Sequence, residues 1–174
     1  MTFERLLAFP LLAVAAIALS SCERAGTIAG GGPGSDYSVA RQALETGNYD
    51  LAIRHYQGLL NRVHPTSAAR LQLEYAHGLL RGNRFPEAIQ ASDALIDRPD
   101  DSIRGSALAV RGTARHELAR QLIERGQRDA QVRQLLEGAR DDLARFLAQH
   151  ADLDSGGSMR ARSQLVISDL GLAG

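Results

Sequence analysis

A repeat with a period of 36 residues is the feature that most limits how this chain can fold. Ala40 and Ala76 lie 36 residues apart, and so do Ala52 and Ala88. Apolar residues within each repeat recur at spacings of three and four, the period of an amphipathic helix. Other pairs with the same separation are Leu44 with Leu80, Tyr49 with Phe85, Ile53 with Ile89, and Leu59-Leu60 with Leu95-Ile96. The pattern predicts an all-α domain of helical hairpins, with small residues where paired helices approach closely.

Residues that favour helix boundaries divide the chain after Tyr37 at regular intervals. Glycine and asparagine are typical of helix C-termini, whereas proline, aspartate and serine are typical of helix starts. The expected ends are at Gly47-Asn48, Gly82-Asn83 and Gly126-Gln127, and the expected starts are at Pro65-Thr66-Ser67, Pro86, Asp100-Asp101-Ser102 and Ser158.

Two segments at the same place in successive repeats point to a family. Asn48-Tyr49-Asp50-Leu51-Ala52-Ile53 and Arg84-Phe85-Pro86-Glu87-Ala88-Ile89 resemble the turn and second-helix start of tetratricopeptide repeats (TPRs), whose usual period is 34. The resemblance covers about residues 36 to 150, although the family's tryptophan is missing and its closing proline is missing or displaced, with Pro99 near the expected place. It implies a short TPR-like superhelix of three helical hairpins within a domain spanning residues 36–172.

The third unit is longer than the other two. Ala88 and Ala139, which hold matching positions, are 51 residues apart, so about 15 residues are inserted. Lengthening both arms of a hairpin by two turns adds about 14 residues, which predicts an elongated third hairpin with its tip at Gly126; an ordinary loop insertion is the alternative. The residues expected to pack across it are Leu118, Leu122 and Ile123 against Val132, Leu135 and Leu136.

The segment from Met159 to Leu170 is expected to cap the repeats, since a stack of repeats otherwise leaves its last apolar face exposed. Leu165, Val166 and Leu170 are predicted to form its buried stripe.

The N-terminal segment has the form of a secretory signal. Arg5 precedes an apolar run from Leu6 to Leu19, which is shorter than the roughly 20 residues that span a bilayer. Leu19-Ser20-Ser21-Cys22 resembles the bacterial lipobox. The resemblance implies a signal peptide over residues 1–21, cleavage before Cys22, lipid on its thiol, and a Gly-rich tether over residues 22–35. The alternative is an ordinary signal peptide with a chance cysteine.

Composition argues against several classes of function. The 20 basic and 20 acidic residues balance, which gives no support to a nucleic-acid-binding protein. Cys22 is the one cysteine, so a lipidated chain has no thiol for disulfides, metal binding or catalysis. His116-Glu117 lacks the second histidine of a zinc-protease helix, because Arg120 stands where it is needed. Asp141-Asp142 is interpreted as a solvated helix face. We therefore expect no enzyme activity, cofactor, metal or small-molecule substrate.

A partner protein is the expected ligand, since TPRs line a groove with the first helix of each unit. Arginine in such a groove can hold a partner's carboxylate through two parallel hydrogen bonds. The residues that the family pattern assigns to the groove are Tyr37, Arg41, Arg70, Leu73, His77, Arg81, Ala109, Thr113 and His116. A second candidate surface is a basic patch on the long hairpin, formed by Arg104, Arg111 and Arg115, which could meet an acidic partner or anionic headgroups.

These features together predict a lipid-anchored adaptor or assembly factor for envelope proteins, attached to the membrane through its lipid. Glu23 follows the cysteine where inner-membrane lipoproteins of enteric-type bacteria carry aspartate, which favours the outer membrane facing the periplasm. Repeat lipoproteins of similar architecture serve pilus and secretin assembly, our first choice. An activator of a cell-wall enzyme and a soluble periplasmic chaperone are the alternatives.

Overall fold

A computed structural model describes residues 33–64 and 68–172, and all regular structure within these ranges is helical. The helices are α1 (Pro33–Glu45), α2 (Tyr49–Leu60), α3 (Ala68–Arg81), α4 (Phe85–Asp93), α5 (Asp101–Glu124), α6 (Ala130–Gln149) and α7 (Ser158–Leu172), with a short 3-10 turn at Ala151–Leu153. The predicted all-α class is confirmed. The predicted signal peptide, Cys22, most of the tether and the helix start at Pro65-Thr66-Ser67 lie outside the described residues. The expected tether end is wrong, because Pro33, Gly34 and Ser35 belong to α1.

The predicted helix ends are confirmed, and all three use the same turn. In each, a residue with positive φ follows the helix: Gly47 (82°), Asn83 (58°) and Gly126 (83°). The amide of the next residue donates to a carbonyl five residues back, from Asn48 to Ala43 (2.8 Å), Arg84 to Leu79 (2.9 Å), and Gln127 to Leu122 (3.0 Å). This is the Schellman motif. The first two turns lie 36 residues apart, so the repeat in the sequence is a repeat of this turn.

Side-chain caps begin most of the following helices. Asp100 accepts a hydrogen bond from the amide of Ile103 (3.0 Å), as its position predicted. Pro86 is the second residue of α4. The expected cap of α7 is wrong: Ser158 is its first residue, and the Asp154 carboxylate accepts the amides of Met159 (2.9 Å) and Arg160 (3.0 Å).

Each helix packs on the next one along the chain, and α3 also packs on α5. The small residues of the 36-residue series lie inside these contacts, since Ala40, Ala52, Ala76 and Ala88 are all 0% exposed. The main core runs from α2 to α6 and includes Ile53, Leu79, Phe85, Leu95, Leu108 and Phe146. The main core therefore joins the three hairpins through α2, while α1 packs on α2 in a separate apolar cluster that includes Ala40, Ala52 and Tyr56.

The elongated third hairpin is confirmed, with α5 of 24 residues and α6 of 20. Two glycines let its arms approach closely. A Cβ at Gly105 would lie 2.7 Å from Cγ of His150, and one at Gly112 would lie 3.0 Å from Cγ of Leu143. The upper half of the hairpin has its own core of Ala119, Leu122, Val132 and Leu136, flanked by Ile123 and Leu135. Leu118 packs against the main core instead, so its predicted place is wrong.

Helix α7 packs on α5 and α6 through a narrow stripe of apolar side chains. Val166 is fully buried, and Met159 and Leu170 pack beside it. Leu165 is 55% exposed, so its predicted place on the buried stripe is wrong. Consecutive residues differ by about 100° around a helix, and the face centred on Val166 leaves Leu165 in solvent.

Candidate interaction surface

A buried carboxylate joins the first three helices. Glu74 on α3 is 4% exposed. Its Oε1 accepts a hydrogen bond from the Tyr37 hydroxyl on α1 (3.0 Å), and its Oε2 accepts one from the Tyr56 hydroxyl on α2 (2.7 Å). Burial raises the pKa of both hydroxyls, and the bonds to Glu74 raise it further. Both tyrosines therefore remain protonated donors to one carboxylate near neutral pH.

Two arginines complete this cluster. Arg41 Nη1 lies 3.6 Å from Glu74 Oε2, and Arg41 Nη2 donates to Glu45 at 2.8 Å. Arg70 donates from Nε to Glu74 Oε1 at 3.4 Å, and its side chain is 71% exposed. Among the described residues, none accepts a hydrogen bond from the Nη atoms of Arg70. Arg70 thus presents a pair of donors to solvent, while Arg41 is engaged by two acidic side chains.

His77 and Arg81 continue the same side of α3, at the spacing of three and four that follows Glu74. His77 is exposed, yet the protein around its ring disfavours the charged form and lowers its pKa. Arg81 turns toward the start of α2, where its Nη2 donates to the Tyr49 hydroxyl (2.9 Å) and its guanidinium lies 5.4 Å from the ring centre. Arg81 therefore does not join Arg70. It lines an open cavity of about 300 Å³ between the turn at Gly47 and the turn at Asn83.

The α1–α3 face, as we call it, therefore consists of Tyr37, Arg41, Arg70, Glu74 and His77. Sequence reasoning placed all of these on one surface except Glu74, which it missed. A partial signal was present in the sequence. The matching position in the third unit is the apolar Val110, which is buried, although the first unit has the exposed Ser38 there.

Three residues assigned to the groove are not at the surface. Leu73 belongs to the main core and is 6% exposed. Thr113 is 9% exposed, because Met159 of α7 lies over it, 3.9 Å from its hydroxyl. His116 is 0% exposed beneath α7. These assignments are wrong for a solvent-facing groove. Leu73 points into the core, and the capping helix covers Thr113 and His116 where the family pattern expects an open surface. Ala109 is half-buried against the main core.

The His116 ring lies within a polar cluster between α5 and α7. Its Nε2 is 2.9 Å from Asp169 Oδ2, and its Nδ1 is 3.2 Å from Nη1 of Arg162. Arg162 also donates to Glu117 at 2.6 Å. Burial is the main cause that lowers the pKa of His116, although Asp169 opposes it. An arginine donor at Nδ1 requires a neutral ring with its proton on Nε2, so both nitrogens are engaged and neither is free to act as a base.

The predicted basic patch is neutralised within the fold. Arg111 donates two hydrogen bonds to Asp142, from Nε (2.9 Å) and Nη2 (2.6 Å), and a third to Asp93 (2.6 Å). Arg115 donates to the same Asp142 at 2.7 Å. Arg104 pairs with Asp101 and donates to a backbone carbonyl. Arg111 and Arg115 thus turn inward between helices and Arg104 is paired at the start of α5, so the three form no free basic surface.

Asp142 corrects a second expectation, because it is 2% exposed rather than solvated. Asp141, the next residue, is on the surface beside Arg140 as predicted, with a side chain that is 64% exposed. The two neighbouring aspartates point about 100° apart around α6, which places one in solvent and the other between helices.

Neither a metal site nor a membrane-spanning helix is present in the part of the chain that the structure describes. No group of three or more His, Cys, Asp or Glu side chains there is arranged to hold a metal ion. None of the helices in those ranges has the length and apolar character needed to cross a membrane.

No family model matches the chain, and no curated protein matches it. The resemblance to TPRs and to lipoprotein signals thus depends on the residues quoted above.

Proposed function

We propose that the chain is a lipid-anchored adaptor or assembly factor of the bacterial cell envelope, which binds a protein partner through the α1–α3 face. The observation that carries the proposal is the exposed donor pair of Arg70, whose Nε is directed toward a buried carboxylate. An arginine fixed on one side keeps its other donors in a planar fork that suits a partner's carboxylate. Pilus or secretin assembly is the favoured setting.

The remaining features of the fold agree with binding rather than catalysis. The buried groups Glu74, His116 and Asp142 are each engaged by intramolecular hydrogen bonds, whereas Nε2 of the buried His150 has no hydrogen-bond partner within the described residues. Side chains whose hydrogen-bonding atoms are all engaged within the fold hold helices together, but they have no free atom to contact a reacting group. The exposed donors on α3 differ from them in having capacity left for a second molecule.

The binding site is tested by the double variant Arg70→Ala with His77→Ala. Loss of charge-assisted hydrogen bonds worth about 1.5–3 kcal/mol should weaken partner capture by about tenfold to a hundredfold. The domain should stay folded, because the buried Glu74 keeps its hydrogen bonds from Tyr37 and Tyr56 when Arg70 is removed. Cross-linking in cells followed by affinity purification from envelope extracts measures capture, and a defined partner then allows titration.

The matched control is Arg54→Ala with Gln57→Ala, which removes exposed side chains of similar size from α2. The assignment fails if both double variants capture the wild-type set of partners equally. A partner set of cell-wall synthases or hydrolases instead of pilus or secretin subunits would favour the activator function.

The anchor is tested separately by Cys22→Ala. The variant should lose incorporation of labelled fatty acid and accumulate as uncleaved or soluble protein, because stable anchoring requires more than one acyl chain. Partition of the wild-type chain into the aqueous phase of a detergent extraction would refute the lipoprotein assignment and favour a soluble chaperone.

A further inference from the structure

The tip of the long hairpin carries cations that the fold leaves unpaired. Arg120, Arg125 and Arg128, which we call the tip arginines, are exposed. Their guanidinium groups have no hydrogen-bonding or ionic partner among residues 33–64 and 68–172. Arg111 and Arg115, lower on the same hairpin, are both paired with the buried Asp142. Three unpaired arginines of the hairpin are therefore clustered at its tip, whereas Arg145 lies alone near the base of α6.

The acidic residues of the tip do not cancel this charge. Segment 120–133 contains four arginines against Glu124 and Asp129. The Asp129 carboxylate faces into the start of α6, where it accepts the amides of Gln131 (3.0 Å) and Val132 (3.1 Å). The three tip arginines against Glu124 and Asp129 leave the surface that faces outward with a net positive charge.

Exposed apolar side chains lie beside these cations. The end of α7 reaches the tip, since Leu170 packs against the upper core of the hairpin. Leu172, two residues further, is 74% exposed. Together with Ile123, Arg128 and Asp169 it lines an open cavity of about 330 Å³. A leucine in solvent next to unpaired arginines has the composition of a surface that enters a membrane interface.

The shape of the tip suits a flat partner. It is a helical hairpin end closed by the tight turn at Gly126, and residues 124 to 131 are all exposed. A convex end of this kind can meet a planar surface, whereas an extended peptide needs a groove. Among anionic partners, a bilayer fits this geometry better than a peptide segment.

We propose that the tip of the α5–α6 hairpin docks on anionic phospholipid headgroups, with the tip arginines over the phosphates and Leu172 entering the interface. The proposal rests on the proposed lipid anchor, which holds the domain close to a bilayer. Docking fixes the orientation of an anchored domain relative to the membrane. It thereby also fixes the direction in which the α1–α3 face is presented to a partner.

The test uses the full chain, purified from bacterial envelopes in detergent and reconstituted into vesicles. A Gln127→Cys variant, labelled with an environment-sensitive dye, reports whether the tip enters the headgroup region. Gln127 is exposed at the tip. We expect a blue shift in vesicles containing phosphatidylglycerol, no shift in vesicles of phosphatidylcholine alone, and reversal when salt is raised from about 0.1 M to 1 M, where the screening length falls from about 10 Å to 3 Å.

The decisive variant adds Arg120→Gln, Arg125→Gln and Arg128→Gln to the labelled chain. An arginine near an anionic surface contributes about 1 kcal/mol, so the ratio of docked to free tips should fall by about fivefold for each one removed. The matched control is Arg54→Gln with Arg145→Gln, two exposed arginines on α2 and α6 away from the tip, which should leave the shift unchanged. Circular dichroism verifies that all variants keep the wild-type helix content.

Three results would overturn the proposal: an equal shift in neutral vesicles, an unchanged shift in the tip variant, or a shift produced by a lipid-free envelope protein but not by anionic vesicles. The state of the anchor is read independently. A lipidated Cys22 takes up no thiol dye, so labelling of the wild-type chain would show that the anchor is wrong. The comparison of anionic with neutral vesicles would still decide whether the tip binds headgroups.

Discussion

Replacing Asp142 tests whether the inward-facing arginines contribute to stability as the structure indicates. The Asp142 side chain is 3% exposed and accepts hydrogen bonds from Arg111 and Arg115. Removing one partner of a buried ion pair costs about 3–5 kcal/mol, because the other charge is left uncompensated. Arg111 keeps its bond to Asp93, whose side chain is 51% exposed. We therefore expect Asp142→Ala to fall at the lower end, near 3 kcal/mol.

The measurement is urea unfolding followed by circular dichroism, with the free energy of unfolding obtained by linear extrapolation. For a domain of this size, 3 kcal/mol corresponds to a melting temperature about 6–12 °C lower. The neighbouring residue provides the control. Asp141 is 64% exposed and pairs with Arg140 on the surface, so Asp141→Ala should change stability by about 0.5 kcal/mol or less. Equal effects of the two substitutions would refute the assignment of Asp142 as the centre of a buried network.

Three further perturbations test the turn, the core and the buried histidine. Gly126→Ala should destabilise the protein by about 1–2 kcal/mol in urea unfolding, because φ at Gly126 is +83°, although no atom lies near the added Cβ. Gly156→Ala is the control, since Gly156 is equally open but has no positive φ. Equal losses of stability in the two variants would contradict the reasoning. Ala88→Leu should overpack the α3–α4 contact and cost about 1–3 kcal/mol, whereas Ala94→Leu at an exposed site should cost little; an unchanged melting temperature for the former would mean that the helix faces are wrong. Burial lowers the pKa of His116. The stability that the neutral His116 ring contributes should therefore be complete above about pH 6.5 and be lost as the pH falls through the pKa that His116 has in the folded protein. An NMR titration that gives His116 a pKa at or above about 6.5 would contradict this.

The sequence predicted the parts of the fold that depend on local pattern. The turns at Gly47 and Asn83 follow from residues that tolerate positive φ at the end of an apolar-periodic segment. The alanines at positions 52 and 88 marked close helix contacts because the period of 36 residues places them in register. The lengthened hairpin followed from counting the inserted residues against helix geometry. All of these are properties of short segments or of the repeat itself.

The partners of charged side chains were not predictable in the same way. Arg111 meets Asp142, 31 residues away, only because α5 and α6 pack in one register. That register depends on Gly105 and Gly112, whose contacts the spacing of residues does not specify. His116 was placed on an open groove because the family pattern does not state where α7 lies. Burial by a helix distant in the chain removed it from the surface, and the same holds for Thr113.

Glu74 also determines how the domain would respond to force. In the proposed anchored state, any pull between membrane and partner enters the fold at the start of α1. The first turn of that helix is fastened at two points, Asp36 to Arg62 (2.5 Å) and Tyr37 to Glu74 (3.0 Å). Behind these, the fully buried residues of α1 are the small Ala40 and Ala43, with Leu44 partly buried beside them. The helix next to the tether is thus secured mainly by polar bonds at its loaded end, so under tension it should detach before the remaining helices, lengthening the tether while the other hairpins stay folded.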